Sequence, residues 1–534
     1  MLIGSLLFFQ IFCGFDLISP EFIEKGMRGI ALSTFEENKI DTIEVEILGK
    51  IPNFQLDREV IIAKLKGGII DEAGVIAGMS GSPVYIDGKL LGAIAYGWPF
   101  AKEPICGITP FSDMKNMEAK KTVGSSSFTP IKPILTVSGF PPSSVSSLGS
   151  LPFDFTVSET VLGGETEDVT ELVPGGVCGI TLVSGDGNVS VMGTITEVIG
   201  DTVFAFGHSA YATGSSTLPL CGGKTVTCLP SLYTSMKFAA PGNILGQVVF
   251  DGSAGIKALI GSNPPMVDCK IKIGNLQKRY KVTSEESIFP VIPPFLILSN
   301  WVEKMGQYEV STVEGDLNIW TNEGEILVPL AISGEDIQRH LHAWVREPLL
   351  GIQKNKFKGI NIDSISISLT SQPGIKQFYI EELILKKNIF EIGEEISIHV
   401  VLSRYRDKDT TVVFNFKAPE NPCELTLRVS GRDEYVNYEL GRTPLNFQFD
   451  YFREWKDFLN SLPDPNQLIL SIYKKGSSLN TDAGEIKNPP PSLKMVMEKG
   501  ERKIYNDLYP LFETELKFNG PLQGESSEVV EVRR

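Results

Sequence analysis

The chain has 534 residues, 42% hydrophobic and 21% charged, with a formal charge of −16. That length exceeds one hydrophobic core and calls for three or four domains, and the composition is that of a folded globular protein. The negative balance repels phosphate backbones and anionic lipid, which speaks against nucleic acid as a partner.

The first fifteen residues, MLIGSLLFFQIFCGF, carry no charge. The run is shorter than the ~20 apolar residues a spanning helix needs and matches the apolar core of a signal peptide. Residues 1–15 are therefore expected to direct export to the periplasm or cell envelope; a buried N-terminal strand is the alternative. No later stretch is long and apolar enough to cross a membrane, so no integral span is expected. The seven cysteines (13, 106, 178, 221, 228, 269 and 423) form no CxxC pair and no cluster with histidine. No metal and no cofactor are expected from them. Cys221 and Cys228 could close a small loop in an oxidising compartment, or be buried thiols.

Along the chain, IDTIEVEILGKI and REVIIAKL (within 40–65) read as strands, from β-branched residues in partial alternation. GVIAGMSGSPVYIDGKLLGAIAYGW follows, two short apolar runs about Asp87-Gly88, a hairpin turn pair. Residues 121–151 are rich in Ser, Pro and Gly and read as a linker or long loop. A second β-rich block, 152–300, includes GGVCGITLV, SVMGTITEVIG and DTVFAFGHS. Two such blocks, 20–120 and 152–300, fit a pair of small barrels or sandwiches. After a connecting β region (301–375), residues 376–435 alternate cleanly and suggest an immunoglobulin-like β-sandwich. In the C-terminal α/β unit (436–534), DYFREWKDFLNSLPD has helical apolar spacing, with Asp450 placed to cap it and Pro463 to end it.

Chemistry concentrates in Gly78-Met79-Ser80-Gly81-Ser82-Pro83. A serine flanked by glycines on a tight turn admits a substrate carbonyl and lets backbone N–H groups converge on a developing oxyanion. By position, Gly78 and Ser80 would be the two amide donors, as nucleophile and the residue two before it are in chymotrypsin-like sites. Ser82 is a rival nucleophile, and a plain Gly/Ser-rich β-turn is the structural alternative. Of four histidines, His340 and His342 lie in QRHLHAW, a polar stretch suited to helix, and His399 alternates within a sandwich strand. His208 ends the strand DTVFAFG between small residues, where its ring can face a cleft as a general base or serve as a structural histidine.

GVIAGMSGSPVYIDGKLLGAIAYGWPFAKEPICGITPFSDM resembles the nucleophile region of the SpoIVB-type (S55) serine peptidases, and FAFGHSAY resembles that family's Gly-His block. The likeness to long bacterial S55-domain proteins runs from Gly26-Met27-Arg28-Gly29 onward, through a trailing sandwich to IKNPPPSLKMVM. It implies a mainly β fold: two chymotrypsin-like β-barrel halves, then an immunoglobulin-like β-sandwich and a small α/β unit. It also implies a serine endopeptidase that works through an acyl-enzyme, with Ser80 as nucleophile and His208 as base. In the sporulation protease the histidine precedes the serine; here it follows, which requires swapped barrels. The stretch matching the family aspartate reads AKLKGG, without a carboxylate, leaving Asp57, Asp71 and Asp201 as nearby acids, each more simply a turn or surface residue. The expected partner is a polypeptide, as substrate or as bound peptide. A non-catalytic envelope scaffold that keeps the peptidase frame and docks an envelope protein is the second expectation.

Overall fold

The computed structural model describes residues 16–55, 58–98, 100–117, 129–145, 148, 156–159, 171–306, 310–481, 484–493 and 504–534. The expected signal segment 1–15, Cys13 and Asp57 lie outside them. The chain divides into two compact units, one of residues up to 268 with 279–295 and one of 269–278 with 296–534. Strand outweighs helix by 55% to 17%, so the fold is mainly β as expected. Among the described residues no helix is long and apolar enough to cross a membrane.

The first unit opens with β1 (Arg28–Glu36), β2 (Lys39–Gln55) and β3 (Arg58–Lys66), then β4 (Pro83–Ile86), β5 (Lys89–Gly97) and β6 (Ile105–Pro110). They pair antiparallel in the order β4-β1-β2-β3-β6-β5, and β4 pairs β5 to close the ring into a six-stranded barrel. Alternation dictates the inside: Ile43, Val45 and Ile47 of β2 face Ile61, Ala63 and Leu65 of β3 in one core. Asp87 and Gly88 have φ of 49° and 75°, the doubly left-handed loop that suits the twist of a two-residue hairpin, so the expected turn is present.

After β7 (Thr129–Pro130), β8 (Ile134–Ser138) and β9 (Thr156–Glu159) come β10 (Val177–Gly185), β11 (Asn188–Ile199), β12 (Thr202–Ala205), β13 (Gly214–Ser215), β14 (Pro219–Leu229), β15 (Met236–Gly252) and β16 (Gly255–Ile260). A second ring closes through β10-β14-β15-β16-β12-β11, with β10 paired back to β11. β8 lies inside the stretch expected as a linker. Its apolar Ile134, Leu135 and Val137 are buried, and it pairs antiparallel with β11. Pro and Ser density masked that short apolar run.

The seam between the rings combines apolar packing, as of Leu90 and Phe111 on Phe204, with backbone and hydroxyl contacts. Thr34 and Thr225 hydroxyls meet at 3.2 Å, Glu37 bridges to Thr225, and Ala77 bridges to Met236. The Cys221–Cys228 loop is absent, and all six described cysteines are free thiols. Both residues sit on extended β14, where seven steps separate them by roughly 20 Å, far beyond disulfide reach.

In the second unit Ser311–Thr321 pairs antiparallel with Gly324–Gly334 and Ile362–Pro373. The QRHLHAW stretch lies in the helix Ile337–Lys354, as expected. Two sheets then share one core from Phe378 to Val532, built from Ile396, Ile398 and Val400 on one side and Leu425, Leu468 and Leu470 on the other. The core runs unbroken past residue 435, because Glu525–Arg533 pairs with Cys423–Ser430. The expected helix spans Phe452–Ser461. Its N-cap is Tyr451 rather than Asp450: the Glu454 carboxylate reaches back to accept the amides of both residues, which removes the need for an Asp cap.

Candidate active site

Ser80 lies in the turn between β3 and β4, after the short helix Ile70–Ala73. β11 clamps the turn by its carbonyls. The Thr194 hydroxyl donates to Gly78 O at 2.9 Å, the Thr194 amide to Ser80 O at 2.9 Å, and the Thr196 hydroxyl to Gly81 O at 2.8 Å. The amides of Met79, Gly81 and Ser82 are spent on Ile76, Ile94 and Met79 carbonyls. Those of Gly78 and Ser80, the expected oxyanion donors, take no acceptor among the described residues.

The rival serine is hydrogen-bonded. Ser82 Oγ is engaged with Met79 O at 2.7 Å and Ser33 Oγ at 3.0 Å. Ser80 Oγ is fully buried and has no hydrogen-bond partner among the described residues. Few native groups are left that way, and those that are need a reason.

His208 follows β12. Phe206 and Gly207 carry it, both in left-handed backbone, and the Thr109 hydroxyl holds Gly207 O at 2.7 Å. The ring is buried. Nδ1 lies 2.8 Å from Ser209 O, and since a carbonyl only accepts, Nδ1 carries the proton and Nε2 presents its lone pair. Nε2 has no partner. Burial holds the imidazole below its ordinary pKa, with the backbone of Ser209 and Ile131 pulling the other way. A neutral ring with a free Nε2 is the form a general base needs.

The two blocks meet in space. The Gly81 amide donates to Ile94 O at 2.7 Å, and a Cβ on Gly207 would come within 3.3 Å of the same oxygen. A Cβ on Gly81 would lie 2.6 Å from the Phe206 amide nitrogen. Turn and histidine loop thus pack backbone to backbone, without a hydrogen bond between Ser80 Oγ and His208 Nε2. No family model, curated protein or solved structure matches this chain.

Neither of the described acids weighed from sequence reaches the ring. Asp71 accepts the Gly67 amide, and Asp201 is exposed in the β11–β12 turn. A carboxylate that sequence reasoning missed, Asp251 of β15, anchors the loop after His208 by accepting the Ala210 and Tyr211 amides at 2.8 and 2.6 Å. Burial raises it to about 6. His340 and His342 lie on the second unit's helix, and His399 sits half-buried on its strand Glu395–Arg404. No cluster suited to a metal occurs among the described residues.

A cleft of about 200 Å³ adjoins the site. Ala73–Val75, Ala77, Trp98, Phe100, Thr129–Lys132 and Ser231–Ser235 contribute to its walls. It reaches Ala77, one residue before the turn, and Ile131, whose backbone faces the His208 ring.

Asp251 gives a pH prediction. Its folded pKa lies above the unfolded carboxylate value near 3.9, so the folded state binds the proton more tightly. That stability is present below pH 4 and lost as pH rises through about 6. We expect the wild type to lose on the order of 2–3 kcal/mol from this group between pH 4 and 8, and Asp251→Asn to lack that component. Urea midpoints across that range measure it; identical pH profiles for the two proteins would contradict the assignment.

Proposed function

We propose that this protein is a serine endopeptidase of the SpoIVB type, with its two rings arranged as the halves of a chymotrypsin-like enzyme. The carrying observation is the pair of buried, unpartnered groups, Ser80 Oγ and His208 Nε2, on segments 128 residues apart that pack against one another. Ser80 Oγ attacks the scissile carbonyl and its proton passes to His208 Nε2. The tetrahedral oxyanion points to the Gly78 and Ser80 amides. The C–N bond then breaks, the amine leaves with the proton from His208, and water hydrolyses the ester by the reverse route. Ser209 O takes the tautomer-fixing place of a triad carboxylate. It supplies orientation without the negative charge that stabilises an imidazolium, so turnover is expected to be slow.

Ser80 is sealed in this state, and the adjoining cleft is the entry side for an extended polypeptide. Export to the envelope, where such a substrate would be met, belongs to the same proposal. A fluorophosphonate probe tests it. Phosphonylation forms the Ser80 Oγ–P bond, expels fluoride and hands the hydroxyl proton to His208. Labelling that disappears in Ser80→Ala supports the reading; labelling that persists removes Ser80 from the role.

The sealed serine and the missing carboxylate favour a second reading, a non-catalytic envelope scaffold that holds an extended peptide in the cleft. A folded wild type that resists the probe while retaining peptides in the cleft would establish it.

A further inference from the structure

β15 places a lysine where the strand pattern calls for an inward residue. Lys237 is 1% exposed, in phase with buried Ala239 and Pro241. Its Nζ donates to Ser33 Oγ at 2.9 Å and Thr194 Oγ1 at 3.4 Å. Its own amide donates to Ala77 O, the residue before the turn, and its Cδ lies 3.5 Å from where a Cβ on Gly78 would be. No carboxylate among the described residues pairs with it. The groups facing it are the Ser33 and Thr194 hydroxyls, the Phe35 ring at 5.4 Å, and the thiols of Cys178 on β10 and Cys228 on β14.

A buried cation without a counter-ion costs stability, and hydroxyl acceptors repay little of that cost. Packing therefore does not account for a lysine here. Its ligands do: Thr194 Oγ1 is the hydroxyl that holds Gly78 O, and Ser33 Oγ is the one that meets Ser82. We propose that Lys237 is a positioning residue for the nucleophile turn, whose buried ammonium, through Thr194 and Ser33, fixes the turn so that the Gly78 and Ser80 amides stay free and aligned for an oxyanion. The proposal rests on the peptidase reading of that turn. The positive charge beneath the turn also favours a developing anion above it.

Burial lowers the Lys237 amine to about 8, while both thiols are pushed up and stay neutral there, Cys228 to about 11. Loss of the ammonium proton then loosens the turn within an accessible pH range.

The experiment compares fluorophosphonate labelling rates of wild type and Lys237→Met between pH 6 and 10, with melting temperatures alongside. Wild-type labelling should fall as pH passes about 8. Lys237→Met should label at least about tenfold more slowly at pH 7, without the alkaline fall and without losing thermal stability. A methionine variant with the wild-type rate and the same alkaline limb overturns the proposal. If wild type is not labelled at Ser80, the peptidase reading fails instead. Selective ¹⁵N-Gly and ¹⁵N-Ser spectra of wild type and Lys237→Met then decide Lys237 by itself. Gly78 and Ser80 amide shifts that titrate together near pH 8 in wild type only uphold its control of the turn; static shifts reject it.

Discussion

Under the proposed peptidase chemistry, alanine at Ser80, or alanine at His208, is expected to lower peptide hydrolysis by at least ~10⁴-fold, and the double variant should fall no further. The reasoning is that neither group acts alone. The hydroxyl is a weak nucleophile until Nε2 takes its proton, and the imidazole has nothing to deprotonate once the hydroxyl is gone. Ser80 Oγ has no partner among the described residues, and alanine at His208 removes the Nδ1 bond to Ser209 O, so the folded state should survive each substitution. Initial rates on a casein panel or a fluorogenic peptide, with circular dichroism to confirm the fold, measure the cycle. Losses that multiply in the double variant would mean two independent contributions, and the dyad would be abandoned.

Gly81→Ala should destabilise the first unit by about 3–5 kcal/mol, the sum of left-handed backbone strain and overpacking. Gly81 has φ of 99°, and a Cβ there would stand 2.0 Å from Thr194 O and 2.6 Å from the Phe206 amide nitrogen. Both obstacles are main chain of the second ring, which cannot rotate aside as a flexible side chain can. The methyl group must push the turn off β11, breaking the Thr194 and Thr196 clamps. Equilibrium urea unfolding reads the loss, and hydrogen exchange at residues 78–82 and 194–196 locates it. A loss under about 1 kcal/mol would show that the two segments are not in this contact.

Much of this arrangement was legible in the sequence. β-branched alternation announced β2 and β3, and Asp87-Gly88 announced the β4–β5 hairpin, because both signals are local. Glycine-flanked Ser80 and strand-ending His208 stood out by the same logic. What escaped was whatever side-chain identity does not encode. The group on His208 Nδ1 is a backbone carbonyl, which any residue at 209 would supply. Thr194 and Thr196 read as ordinary strand residues until β11 is seen to lie under the turn. Asp251 reads as the end of a hairpin strand until its two amides are found forty residues back. Lys237 did leave a trace, a lysine at an inward position of an alternating strand, but its meaning depends on Ser33, 204 residues away. The core that joins residue 378 to residue 532 was equally hidden, since the strand completing it comes last in the chain.

The hydroxyl belongs to the first ring and the imidazole to the second. Under the proposed chemistry a ribosome that has released only the early portion of the polypeptide carries an inert alcohol. The cutting tool is assembled only after residue 208 has emerged and its ring has closed through β16. Hydrolytic power would thus be withheld during synthesis by the order of the parts.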